Sequence, residues 1–106
     1  MATLFINIPK EMVKRERKRS FQTFELGIAD GYGIPNNDCD QLSPGDRVIL
    51  ISQAELRRAE GSLLKLVPNG MAGNIQRYDV HMSGLKLVEY KPAPDRFRRT
   101  GILVIS

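Results

Sequence analysis

Ser43-Pro44-Gly45-Asp46-Arg47-Val48-Ile49-Leu50-Ile51 carries the plainest structural signal in the chain. Proline at the second position and glycine at the third suit a type II turn, whose third residue needs a positive φ that glycine adopts without penalty. The turn leads into a β-branched, continuously apolar run, which predicts a strand over 47–51. Working outward, Leu4-Phe5-Ile6-Asn7-Ile8 is a second such run, closed by Pro9. Strand-like segments follow at 62–67, 75–82, 85–90 and 102–105, with turns expected at Pro68-Asn69-Gly70, Ser83-Gly84 and Lys91-Pro92-Ala93-Pro94. Six short strands predict a mainly β fold (β-rich α+β). The expected form is a small closed barrel with one or two short helices, because closure removes exposed sheet edges.

One helix is expected over Lys10–Arg19, whose residues are good helix formers but whose only apolar members are Met12 and Val13, so it buries a narrow stripe at most. Ser52 and Glu55 have capping-box spacing, and residues 52–60 fit a short helix and a turn within a hairpin connection equally well. With 106 residues, one core and one domain over 1–106 are expected. An apolar content of 42% is too high for a disordered tail. The longest uninterrupted apolar runs, Val48 to Ile51 and Ile102 to Ile105, fall far short of the roughly 20 residues that span a bilayer, so no membrane partner and a cytoplasmic location are expected. A single cysteine, Cys39, and a single histidine, His81, leave no internal disulfide, no structural zinc set and no nucleophile signature. No cofactor and no enzymatic activity are expected.

The net charge of +4 is unevenly spread. Residues 1–20 hold Lys10, Lys14, Arg15, Arg17, Lys18 and Arg19 against Glu11 and Glu16, whereas residues 21–46 hold no basic residue and five acidic ones. Residues 47–106 are basic again, with Arg96, Arg98 and Arg99 clustered around Phe97. Basic segments flanking an acidic insert point to a polyanionic partner, because neutralising phosphates releases counterions. A charged, solvated surface is the alternative for each cluster.

Residues 21–46 contain Gly27, Gly31, Gly33, Pro35, Asn36, Asn37, Pro44 and Gly45, which predicts a long loop, and long loops in compact domains are often functional. Gly27 to Gly33 matches neither dinucleotide nor P-loop glycine spacing, and Pro35 is expected to block the helix that would hold a phosphate.

The order of elements resembles the PUA-like barrels, and within them the EVE and YTH branch. The residues that carry the resemblance are Gly27 to Asn37, Pro44 to Ile51 with its Gly-Asp-x-Val turn and strand, Arg58-Ala59-Glu60-Gly61 and Tyr78-Asp79-Val80-His81. The resemblance implies a module that reads a modified base, as do forms fused to nucleases or motor domains in modification-dependent restriction systems. That branch usually builds its pocket around tryptophan. This chain has none, so an aromatic cage would use Phe and Tyr.

A flipped base needs stacking faces and polar edge readers. The 21–46 segment offers Phe21, Phe24 and Tyr32 for stacking and Asp30, Asn36 and Asn37 for hydrogen bonding. Phe21 and Phe24 also fit a core role, and Asp30 and Asn36 also fit satisfaction of turn NH groups. The base pocket is therefore expected at Phe24, Asp30, Tyr32, Asn36 and Asn37. Phosphate contacts are expected at Lys14, Arg15, Lys18, Arg19, Arg58, Arg77, Arg96, Arg98 and Arg99. The expected ligand is nucleic acid, DNA ahead of RNA, with a nuclease or motor partner supplying any catalysis. Two other functions fit the same residues: a barrel that mediates protein contacts through its acidic loop, and a toxin-like ribonuclease using Arg and Asp in place of a histidine pair.

Overall fold

Val48, Ile49, Leu50 and Ile51 are apolar without alternation because both faces of their strand are buried. In a computed structural model, which describes residues 2–8 and 27–106, the strands are β1 (Thr3–Asn7), β2 (Ile28–Gly33), β3 (Arg47–Ser52), β4 (Arg57–Ala72), β5 (Ile75–Val88) and β6 (Ile102–Ile105). A single helical turn, α1 (Asn36–Cys39), lies between β2 and β3. The strands form one six-stranded sheet in the order β2-β5-β4-β3-β1-β6, curled into a half-barrel, so the fold is mostly β with very little helix. The β3–β1 pair is parallel, and the other pairs of the sheet are antiparallel.

Alternate residues of β1 and β3 face two separate cores. Leu4, Ile6, Val48 and Leu50 point into the barrel with Ala59, Leu63, Val80, Met82 and Ile102. Phe5, Ile49 and Ile51 point outward and are covered by Tyr90, Ala93 and Phe97 of the segment 89–101, called the strap below, together with Leu103. A second layer on the outside therefore explains the unbroken apolar run.

The edge strands β2 and β6 are not neighbours in the sheet order, so closure is by side chains and not by a ladder. The Tyr32 hydroxyl of β2 donates to the Asn7 carbonyl of β1 at 3.0 Å. Around α1, Arg98 pairs with the buried Asp38 and Ser106 Oγ donates to Gln41 Oε1 at 2.6 Å, while Cys39 and Leu42 pack on the inner core. α1 and its flanks are thus tied to the segments just before and just after β6.

Several sequence expectations change. The segment 21–46 is not wholly loop: its described part contains β2 and α1. Pro35 does not block a helix but precedes α1, a position where its missing N–H costs nothing. Residues 52–60 resolve as a hairpin connection, with the Glu55 N–H donating to Ser52 Oγ at 3.3 Å. Pro68-Asn69-Gly70 is not the β4–β5 turn, because β4 runs on to Ala72 and the chain reverses after it. Pro68 is tolerated inside the strand since β3 pairs with β4 only over Arg57 to Ser62, leaving one edge of β4 free, and a register shift between Pro68 and Met71 absorbs the irregularity. Ser83-Gly84 is likewise not a turn between two strands but lies within one continuous β5, where Gly84 and Leu85 form a bulge opposite Gly61. The turn at Ser43 to Asp46 is as expected: the Asp46 N–H donates to the Ser43 carbonyl at 3.0 Å and Gly45 has φ 93. The expected helix over Lys10–Arg19, with Lys14, Arg15, Lys18 and Arg19, lies outside the described residues, as do Phe21 and Phe24. No helix among the described residues is long and apolar enough to cross a membrane.

Candidate functional site

β1 and β3 run parallel, so their carboxyl ends emerge side by side, and the pairing is extended by an Ile8 N–H donating to the Ile51 carbonyl at 2.8 Å. Beyond β3 the chain turns sharply at residues 53–56. The buried Ser52 hydroxyl accepts the Glu55 N–H, and Leu56 takes a positive φ of 50. That turn holds Gln53 and Ala54 exposed above the strand ends. Asn7, Ile8, Gln53 and Ala54 line a cavity of about 350 Å³.

A second cavity of about 520 Å³ adjoins it at Gln53, walled by Pro92, Ala93, Asp95, Arg96 and Phe97 of the strap. The strap is firmly placed. Phe97, Ala93 and Tyr90 pack on the outer core, Arg58 Nη1 donates to the Lys91 carbonyl at 3.2 Å, and the Arg98 N–H donates to the Ile102 carbonyl at 2.8 Å. Pro92 and Pro94 remove further backbone freedom. Arg96 is therefore held beside Gln53 on a braced segment, with its backbone N–H bonded to Asp95 Oδ1 at 2.7 Å. Its guanidinium is exposed and has no ion pair or hydrogen bond among the described residues, and the same holds for Arg99.

The other expected phosphate contacts have different duties. Arg58 is a correction: its side chain is only 12% exposed, it pairs with Glu60, and its guanidinium lies 6.0 Å from the centre of the Phe5 ring. Glu60 also takes Arg47, and the hydrogen bond from Arg47 holds its carboxyl below the usual carboxylate range. Arg98 is spent on Asp38. Its Nη2 donates to Oδ1 at 3.2 Å, and its Nε lies 2.6 Å from Oδ2, a charge contact without an aligned hydrogen bond. Arg77 donates from Nε to the Gly31 carbonyl at 2.9 Å and stays exposed.

The expected base pocket in the 21–46 segment does not assemble among the described residues. Tyr32 is 7% exposed, packs into the inner core and is fixed by its hydrogen bond to Asn7, so neither ring face is free for stacking. Burial, reinforced by the negative charge of Asp30, pushes its hydroxyl pKa up and keeps it a neutral donor. Asp30, Asn36 and Asn37 are exposed, and their side chains make no hydrogen bond among the described residues. The glycines beside Tyr32 serve the backbone instead. Gly31, at φ +66 in a bulge of β2, donates its N–H to Asp79 Oδ1 at 2.9 Å and gives its carbonyl to Arg77. Cys39 is half-buried against the core and donates to the Ile34 carbonyl at 3.6 Å, with burial raising its thiol pKa, which argues against a nucleophile.

Of the residues that line the two cavities, only Arg96 is among the sequence candidates, and Asn7, Gln53, Pro92 and Ala93 are not. The signal for the first two is positional: each is a polar carboxamide where an apolar strand ends. The trough offers two carboxamides that both donate and accept, a free guanidinium, a carboxylate and apolar walls. Such a set suits a planar, hydrogen-bonding ligand with a phosphate attached.

No family model matches the sequence, and neither a curated protein nor a solved structure shows significant similarity to it.

Proposed function

We propose that this chain is a nucleic-acid-binding module, without chemistry of its own, which holds phosphates with Arg96 and Arg99 and receives a base in the trough at the carboxyl ends of β1 and β3. The observation that carries the reading is Arg96, a braced and unpaired guanidinium on the wall of an open cavity of about 520 Å³ that also presents Gln53. Charge supports it. The chain is +4 overall, and the sequence that follows Ile8, a lining residue of the smaller cavity, brings six basic residues within the next eleven.

The base site then lies in the trough and not in the 21–46 segment, because Tyr32 is committed to the core. Recognition of a modified base remains part of the proposal. A modification changes the donor and acceptor pattern or the shape of a base edge, and carboxamides such as those of Asn7 and Gln53 can register either difference. DNA is the first polymer to test, the cytoplasm the compartment proposed, and a separate nuclease or motor protein the source of any cleavage.

The test is fluorescence anisotropy with labelled single- and double-stranded DNA and RNA, plain and methylated, at about 50 and 200 mM salt, for the parent chain and for Arg96→Ala combined with Arg99→Ala. Affinity should fall with salt, and the double variant should lower the slope of log affinity against log salt by about 0.7 to 0.9 for each phosphate that is no longer neutralised. An unchanged slope would show that these arginines do not touch the backbone. Absence of binding at low salt would remove the reading and favour a protein-contact module.

A further inference from the structure

We infer that the two cavities meeting at Gln53 are neighbouring nucleotide subsites, which makes an unpaired single strand, and not duplex, the ligand of the trough. The inference rests on the nucleic-acid reading above and adds to it the class of polymer and the number of nucleotides engaged.

Shape is the first reason. Both sites are concave, lined at one end by Asn7, Ile8 and Ala54 and at the other by Pro92, Ala93 and Arg96. In a duplex the base edges are recessed in grooves and are read by elements that protrude into them, such as a helix or a ribbon. A cavity cannot enter a groove, so each base it holds must first leave the stack. For one base a duplex can meet that cost by flipping. For two successive bases the unpairing and unstacking are incurred twice, whereas a single strand presents bases that are already free to splay.

Chemistry agrees with shape. Gln53 borders both cavities, so its carboxamide can donate to a base on one side while accepting from its neighbour on the other. Ala54 on one side, and Pro92, Ala93 and Phe97 on the other, give each subsite an apolar wall for the flat of a base or sugar. Arg96 borders one subsite only, where its free guanidinium is placed for a phosphate. The C-terminal edge of the trough is fixed by the strap, whose outer-core packing holds it against β1 and β3. Two adjoining open cavities that share one polar residue fit two linked nucleotides better than one large ligand.

Competition against a labelled single-stranded oligonucleotide tests this, using a nucleoside bisphosphate, a dinucleotide, a tetranucleotide and a short duplex as competitors. The bisphosphate controls for charge, since it carries no less phosphate than the dinucleotide. The dinucleotide should compete at least tenfold better than the bisphosphate, the tetranucleotide should add only a few-fold, and the duplex should compete less well than a single strand of equal length. Gln53→Ala, a change at an exposed position, should keep the parent melting temperature and cut the dinucleotide advantage below threefold. Equal competition by bisphosphate and dinucleotide, an advantage that survives Gln53→Ala, or preference for duplex would each overturn the two-subsite inference while leaving nucleic-acid binding in place. Failure of every polymer to bind would overturn the nucleic-acid reading itself.

Discussion

Leu50→Ala should destabilise the protein by about 2 to 5 kcal/mol, because it removes a fully buried side chain from a site that cannot collapse. Leu50 lies on the barrel face of β3, with Ile6 opposite it on the parallel partner and Ala59 opposite it on the antiparallel one. Both neighbours are fixed by their own ladders, and Ala59 is too small to fill the space. For a domain of this size each kcal/mol lowers the melting temperature by roughly 4 to 8 °C, so the loss should appear in a thermal melt as well as in urea. Leu64→Ala is the matched control: Leu64 is 51% exposed on β4 and should change stability by no more than about 0.5 kcal/mol. Equal effects from the two variants would mean that β3 is not the centre of the core.

Gly61→Ala should cost about 1 to 3 kcal/mol, the range for forcing extra volume into a packed site, although alanine normally suits a strand no worse than glycine. Between the pairs Glu60↔Lys86 and Ser62↔Ser83, β5 carries two residues opposite Gly61, so the backbones crowd there. A Cβ on Gly61 would stand 2.7 Å from the Ser83 carbonyl oxygen and 2.9 Å from Leu85 Cδ2, and the first of these is backbone that cannot swing away. Urea denaturation of Gly61→Ala beside Ser62→Ala, an exposed neighbour, separates the close approach from a general effect of changing β4. A neutral Gly61→Ala would place the bulge elsewhere.

These two sites also show what a single sequence discloses. The β3 run was legible because burial on both faces leaves an unbroken apolar string, and the first and last strands were legible for similar reasons. β2 was not, since its glycines read as loop. What makes it a strand is pairing with β5, and its bulge is satisfied by the Asp79 carboxylate, 48 residues from Gly31. Pro68-Asn69-Gly70 and Ser83-Gly84 are strong local turn signals that the long hairpin overrides, because bulges take up the irregular residues and β4 has a free edge where the proline sits.

The site was legible to a similar extent. Basic residues are visible in any sequence, but whether a cation is free depends on its partner. Arg58 has Glu60 two residues away on the same face of its strand, whereas Arg98 finds Asp38 from 60 residues away. The sequence offers Tyr32, set between Gly31 and Gly33, as a stacking residue. The glycines instead let the backbone approach closely, and a Cβ on Gly101 would lie 3.4 Å from the Tyr32 ring, so that ring fills the seam between β2 and the start of β6. Gln53 belongs to no motif, and its place is defined only by the two cavities that share it.

A backbone and side-chain amide NMR titration with a short single-stranded oligonucleotide tests the trough itself. Shift changes should concentrate at Asn7, Ile8, Gln53, Ala54, Ala93 and Arg96, and should include the side-chain amides of Asn7 and Gln53. Changes centred on Asp30, Asn36 and Asn37 with the trough silent, or no changes at low salt, would contradict a binding site at the carboxyl ends of β1 and β3.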